Sequence, residues 1–257
     1  MNKHFKVLLP SLAVALILLF AFKSDKTPTI YIIGDSTVQN FNGQQRGWGS
    51  FLAEFLDTTK IRVNNQAKAG RSTRTFIKEK RWAKVDSMLR KGDYVFMQFG
   101  HNEGSKPDTS KSGYRGVLRG TGDESVELAW PDSSKETVLT YGAYLRKFIR
   151  ETKAKGATPV VVSMIPRNQW KDGKVIRANN DFGKWAKEVA VQEGAFFIDL
   201  NTITANKYDD MGPRQVNTLF QGDHTHTNEA GARINATSVI EGIKLQKKLK
   251  IKKYIKK

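Results

Sequence analysis

The chain has 257 residues, a hydrophobic content of 39%, five tryptophans, no cysteine and a formal net charge of +18. Once an export segment is set aside, about 230 residues remain, enough for one sizeable core and one domain. Without cysteine there can be no disulfide framework, thiolate metal site, cysteine nucleophile or lipid-modified cysteine.

Residues 1–25 carry Lys3 and Lys6 ahead of an apolar run from Val7 to Phe22, interrupted at Pro10 and Ser11. A charged start before a hydrophobic middle is the pattern of a secretory signal. The run is shorter than the roughly 20 residues that span a bilayer, which favours a signal peptide. The following Phe22-Lys23-Ser24 is a poor cleavage site, so an uncleaved N-terminal anchor with membrane association stays open. In either case the domain, residues 28–243, is expected to be exported, secreted or periplasmic.

A strand is expected over Ile30–Ile33, a β-branched apolar run that stops at Gly34-Asp35-Ser36. In an open α/β sheet such a strand delivers a side chain to the carboxyl edge, where ligands bind. By itself Ser36 reads equally as a helix cap or as a hydroxyl presented at the rim, with Asp35 a helix cap. A first crossover helix follows through Phe51, Leu52, Phe55 and Leu56, and a second strand over Ile61–Asn65 leads to Gly70. The spacing predicts one helix from Arg71–Arg74 through Phe76, Trp82 and Leu89, closed by Gly92.

The third strand, Tyr94–Phe99, ends in Gly100-His101-Asn102-Glu103. Residues 104–135 show no regular pattern, and loops of that length are usually functional or disordered. A helix over Thr137–Lys155, a strand over Pro159–Met164, a helix over Asn180–Glu193 and a strand over Phe196–Leu200 come next. An irregular segment then reaches Asp223-His224-Thr225-His226, and a helix runs from Asn228 to about Lys248. This alternation predicts a three-layer α/β/α sandwich on a five-stranded parallel sheet, in the order 2-1-3-4-5. Residues 244–257 hold eight lysines, a tail that is either a solvated helix end or a surface for anionic lipid, nucleic acid or an acidic polymer. Lysine without interleaved arginine and aromatic residues argues against a nucleic-acid partner.

Ser36, Gly70, Asn102 and the Asp223–His226 segment stand at strand exits or in the late loop. Gly34-Asp35-Ser36, Gly70, Gly100-His101-Asn102 and Asp223-x-x-His226, in this order, resemble the markers of the SGNH hydrolases, also called the GDSL family. Gly70-Arg71-Ser72-Thr73-Arg74, Arg81-Trp82, Gly-His-Asn-Glu and Asp223-His224-Thr225-His226-Thr227 are similar to the rhamnogalacturonan acetylesterase branch, and the resemblance runs from about Ile30 to Ile243. It implies a flavodoxin-like fold and a serine esterase without a cofactor. Ser36 would be the nucleophile, His226 its base and Asp223 the residue that orients the base. The Ser36 and Gly70 amides and the Asn102 side chain would form an oxyanion hole.

Each role has a plainer counterpart. His224 is a rival base two residues from His226, but the Asp-x-x-His spacing favours His226 and leaves His224 structural or at the rim. His101 reads as packing or substrate rim, and Gly70 and Asn102 can be ordinary turn residues. No metal site is expected, because His224, His226 and Asp223 need a further ligand. The resemblance implies an acetylated pectic polysaccharide as substrate, with Arg71, Arg74, Arg115 and Arg119 able to pair with its carboxylates. Trp48, Trp130 and Trp170 are candidates for stacking on sugars. A monomer is expected. Xylan or another glycan as substrate, and a non-catalytic glycan-binding protein, are the alternatives. Glu103 stands where the family pattern has aspartate, which puts only a local contact in doubt.

Overall fold

The strands β1 (Thr29–Gly34), β2 (Arg62–Asn65), β3 (Tyr94–Gln98), β4 (Thr158–Val162) and β5 (Phe196–Ile198) form one parallel sheet, seen in a computed structural model that describes residues 27–256. The expected export segment, residues 1–25, lies outside the described residues. The sheet order is β2-β1-β3-β4-β5, as anticipated. Alternate residues of a strand face opposite ways, and here both faces are covered. Ile30, Ile32, Phe96, Val160 and Val162 pack with Trp48, Leu52, Ala236, Val239 and Ile243 on one side. Ile33, Val95, Met97 and Val161 pack with Phe76, Trp82, Leu145, Phe148 and Val189 on the other. This double burial explains the unbroken apolar runs. Gly34 pairs in register with Gln98, so the chain leaves β1 and β3 at the same carboxyl edge.

The covering helices are α1 (Thr73–Lys78), α2 (Arg81–Met88), α3 (Tyr141–Ala154), α4 (Phe182–Gln192), α5 (Leu200–Asn217) and α6 (Glu229–Leu245). Several bounds differ from the sequence reading. The first crossover is two 3-10 turns, Trp48–Ser50 and Leu52–Phe55. Here the chain lies against the turn after β1: the Trp48 and Gly49 amides donate to the carbonyls of Thr37 and Val38, at 3.1 and 3.0 Å. The single helix expected through Leu89 breaks at Lys80, which is left-handed (φ 56), and Leu89 is already extended. Gly92 is therefore no helix cap. With φ +95 it makes the turn into β3, its amide 3.1 Å from the Gly156 carbonyl.

Residues 104–135 are more ordered than their composition suggested. They contain a 3-10 turn, Gly113–Arg115, and the first strand of an antiparallel hairpin, Ser125–Ala129 with Lys135–Leu139. That hairpin takes the residues assigned to the start of α3, which begins after Thr140, whose hydroxyl accepts the Ala143 amide at 3.0 Å. The segment after β5, expected to be irregular, is α5. Its pattern was hidden by polar residues and by Gly212 (φ 76, ψ 163) with Pro213, which kink it.

The lysine-rich segment is not a free tail. Leu249 and Ile251 are buried, and Ile255 bridges to Leu56. The Asp57 amide donates to the Tyr254 carbonyl at 2.8 Å, and the Lys256 amide to that of Phe55 at 3.0 Å. Leu249 and Ile251 turn inward between the lysines, while Leu245 stays exposed, and the segment packs on the domain as far as Lys256.

Candidate active site

Gly34 ends β1 where no side chain fits: a Cβ would stand 2.5 Å from the Gln98 carbonyl and 2.6 Å from Val38 Cγ2. The next residues form a tight turn, not the start of a helix, with the Val38 and Gln39 amides both on the Asp35 carbonyl. Asp35 is buried and caps that turn, its Oδ1 accepting the Thr37 amide at 2.8 Å and hydroxyl at 2.7 Å. Gln98 donates to Thr37 Oγ1 at 2.6 Å and accepts from Trp48 Nε1 at 2.7 Å. Burial raises the Asp35 carboxyl to about 6 against the pull of the Thr37 hydroxyl and amide. A buried hydrogen-bonded chain from Trp48 through Gln98 and Thr37 to Asp35 Oδ1 thus fixes the turn that carries Ser36.

The Ser36 hydroxyl lies 2.8 Å from His226 Nε2, although 190 residues separate them. His226 Nδ1 lies 2.6 Å from Asp223 Oδ2, while Asp223 Oδ1 accepts the Thr225 and His226 amides, each at 2.7 Å. Burial pushes the Asp223 carboxyl up, but the His226 ring and these two amides outweigh it and hold the group below its ordinary range. An ionised carboxylate can only accept, so it keeps a proton on Nδ1 and leaves Nε2 to accept from the serine. The loop is anchored from outside: the Arg46 amide donates to the Thr227 carbonyl at 2.7 Å, and Gln45 Nε2 to that of Gln221 at 2.9 Å. Asn228 then caps α6 through the Gly231 amide at 3.1 Å.

Two further segments reach the same edge. Gly70 is left-handed (φ +76), with open space where a Cβ would be. Asn102 Oδ1 accepts from Arg115 Nη1 at 2.8 Å, and its Nδ2 donates to the Arg71 carbonyl at 3.1 Å. These contacts fix the amide with its donor nitrogen away from Arg115 and leave the second Nδ2 hydrogen uncommitted. Among the described residues the Ser36 and Gly70 amides have no acceptor. The next residue, Glu103, is buried, its carboxylate on the amides of Thr73, Gly100 and Asn102 at 2.8, 3.0 and 3.0 Å. Burial, then the Asp35 charge, push its titration up, while the three amides donating to its two oxygens pull the other way and favour the ionised form.

Several of the residues expected to contact substrate make contacts within the fold. Arg74 is buried, its guanidinium on Glu136 at 2.8 and 2.9 Å and on the Gly113 and Gly116 carbonyls, so it ties α1 to the hairpin. Arg71 turns its Nε to Glu79, 3.0 Å from both oxygens, and only its carbonyl faces Asn102. Both ring nitrogens of His101 are shut off from solvent, and burial, then Arg167, depress that imidazole to about 3. It packs and offers the rim no polar contact. His224 stays exposed beside the site, its carbonyl accepting the Asn168 amide at 2.8 Å. Arg119 lies over the rings of Phe182 and Trp185, and Trp48 is core. Trp130 stacks under Lys78, 3.4 Å from its ammonium, and Trp170 donates to Asn168 at 2.7 Å. The sequence reading missed the Trp48–Gln98–Thr37 chain and the anchoring role of Arg115. A cavity of about 840 Å³ lies at the opposite edge of the sheet, between Tyr31, Arg62, Arg90 and Asp93, and brings together no nucleophile and base.

A family model described as GDSL-like Lipase/Acylhydrolase family matches residues 32–234. A rhamnogalacturonan acetylesterase of Emericella nidulans is 33% identical over 231 residues, covering 90% of this chain and 91% of that one. A Bacillus subtilis protein named "Probable rhamnogalacturonan acetylesterase YesY" is 31% identical over 222 residues, 84% of this chain and 92% of the other. The crystal structure of Bacillus subtilis YxiM matches with a TM-score of 0.69 at 25% identity, over 86% of this chain and 57% of that longer one.

Proposed function

Because the chain belongs to the GDSL-like lipase/acylhydrolase family and is a carbohydrate ester hydrolase, we propose that it removes O-acetyl groups from rhamnogalacturonan through Ser36, His226 and Asp223. The observation that carries this reading is the continuous hydrogen-bonded chain from the Ser36 hydroxyl through His226 to Asp223. A serine hydroxyl is a weak nucleophile at its own pKa and needs a base within hydrogen-bond reach. His226 Nε2 takes the proton as Ser36 Oγ attacks the acetyl carbonyl, and the adjacent carboxylate stabilises the imidazolium. The same ring then protonates the departing sugar oxygen. Water, deprotonated by His226, attacks the acetyl-serine and releases acetate.

The intermediate's oxyanion falls to the Ser36 and Gly70 amides and Asn102 Nδ2. Donors aimed in advance at that charge contribute most when their geometry costs nothing to assemble. Asn102→Ala is expected to lower kcat by about 10² to 10³, some 3 to 4 kcal/mol of transition-state stabilisation, with KM little changed. Steady-state rates on an aryl acetate check this. A loss confined to KM would remove Asn102 from the oxyanion hole.

Two features support a pectic substrate. The family relatives are named for it, and the net charge of +18 suits attraction of a polyanionic polymer. A cell-wall polymer also fits the export expected of residues 1–25. The test is acetate release from acetylated rhamnogalacturonan and acetylated xylan at equal protein. Faster release from the pectic polymer is expected; release from xylan alone would move the substrate to another glycan.

A further inference from the structure

Glu103 is fully buried, and no cation pairs with it among the described residues. Its carboxylate is occupied by backbone amides from two segments that are 30 residues apart in sequence. On one side Oε1 accepts from Thr73, the first residue of α1; on the other Oε2 accepts from Gly100 and Asn102 in the turn after β3.

We propose that Glu103 is a positioning residue for ester hydrolysis, its carboxylate locking the turn that carries Asn102 to the segment that carries Gly70. This rests on the reading of Asn102 and Gly70 as oxyanion donors. Four contacts join the two segments and their surroundings: Glu103 to Thr73, Asn102 Nδ2 to the Arg71 carbonyl, Arg115 to Asn102 Oδ1, and the Val117 amide to the Glu103 carbonyl. The first of them is the one made by a group that also holds the peptide of Asn102 itself. Both donor segments lie outside regular structure at Gly70 and Asn102, so nothing in the sheet ladder fixes their separation. A misplacement of about 1 Å in such a site costs about 10² in rate, which makes the cross-link consequential for turnover while leaving ground-state binding alone.

The choice of glutamate follows from reach and from acceptor count. Aspartate is one methylene shorter and reaches less far from the turn after β3 toward the Thr73 amide. Glutamine has the reach but would turn an NH₂ group toward at least one backbone N–H, because a carboxylate offers two accepting oxygens and an amide one.

The experiment compares the full chain with Glu103→Gln, Thr73→Pro and the double variant, reading kcat and KM on p-nitrophenyl acetate alongside thermal melting. Thr73→Pro deletes the N–H that Oε1 accepts, along with a buried hydroxyl that has no hydrogen-bond partner: proline is at home in the first helical position, and the preceding Ser72 is extended (φ −102, ψ 172). Glu103→Gln is expected to lower kcat about 10- to 100-fold with KM within about threefold, and Thr73→Pro to lower kcat about three- to tenfold. The double variant should be no slower than Glu103→Gln alone to within about twofold, because both remove one contact. Wild-type kcat in the folded variants, a rise in KM alone, or losses that multiply would overturn the proposal. If Glu103→Gln does not fold, Thr73→Pro decides the matter alone. A wild-type protein inert on both the aryl acetate and the acetylated polysaccharides would instead overturn the esterase reading beneath it.

Discussion

Ser36→Ala is expected to lower kcat by about 10⁶-fold on an aryl acetate and on acetylated rhamnogalacturonan alike, because covalent attack has no substitute in this site. The Ser36 side chain makes one hydrogen bond, to His226, and alanine leaves only a partly exposed imidazole nitrogen without it. The turn itself is held by Asp35, Thr37, Gln98 and Trp48, none of which touches the serine hydroxyl. Thermal melting should therefore stay within about 2 °C of wild type, no more than the roughly 2 to 4 °C that a loss of 1 kcal/mol produces in a domain of this size. The oxyanion donors remain and sustain a residual rate above water, so the variant is slow and still folded. A phosphonate ester should label the wild type one-to-one and leave the variant unlabelled. Retention of more than about one percent of wild-type turnover would mean that another nucleophile does the chemistry.

The sheet was legible because double burial writes itself into sequence. Ile30–Ile33 and Tyr94–Phe99 are apolar on both faces, as only covered parallel strands can be. Helices were harder wherever something other than periodicity decided them. α5 is broken by Gly212-Pro213, and the crossover after β1 is tied down by the backbone of Thr37 and Val38, which no local pattern announces. The same limit applies at the site. Ser36 and His226 are linked only by a family pattern across 190 residues, and the structure sets them 2.8 Å apart. Arg74 looked like a substrate contact because a lone arginine reads as a surface charge. Its partner Glu136 lies 62 residues away, in a hairpin of short strands, Ser125–Ala129 and Lys135–Leu139, in which Glu127, Lys135 and Glu136 dilute the apolar pattern. Glu103 was visible as a departure from the expected aspartate, yet its reach to Thr73 depends on how α1 docks, which is a tertiary fact.

Asp223→Asn is expected to cost about 10⁴ in kcat, second only to loss of the nucleophile, and the reason lies in how the loop distributes its bonds. Asp223 Oδ1 already accepts two backbone amides, from Thr225 and His226. In asparagine the single carbonyl oxygen must keep that duty, since an NH₂ group there would face two N–H donors. The amide nitrogen then occupies the Oδ2 position and donates to His226 Nδ1, 2.6 Å away in the parent. The imidazole responds by carrying its proton on Nε2, which then points a hydrogen at Ser36 and can no longer take one. The loop stays closed, so melting and KM should hold while kcat collapses. Asp223→Ala separates the two effects: it loses the amide contacts as well, freeing the loop, and should lower both kcat and melting temperature. Raising the pH should partly restore the asparagine variant, because hydroxide can take the serine proton that His226 no longer accepts. If Asp223→Asn kept more than about a tenth of wild-type kcat, the carboxylate would be a loop staple with no part in setting the tautomer.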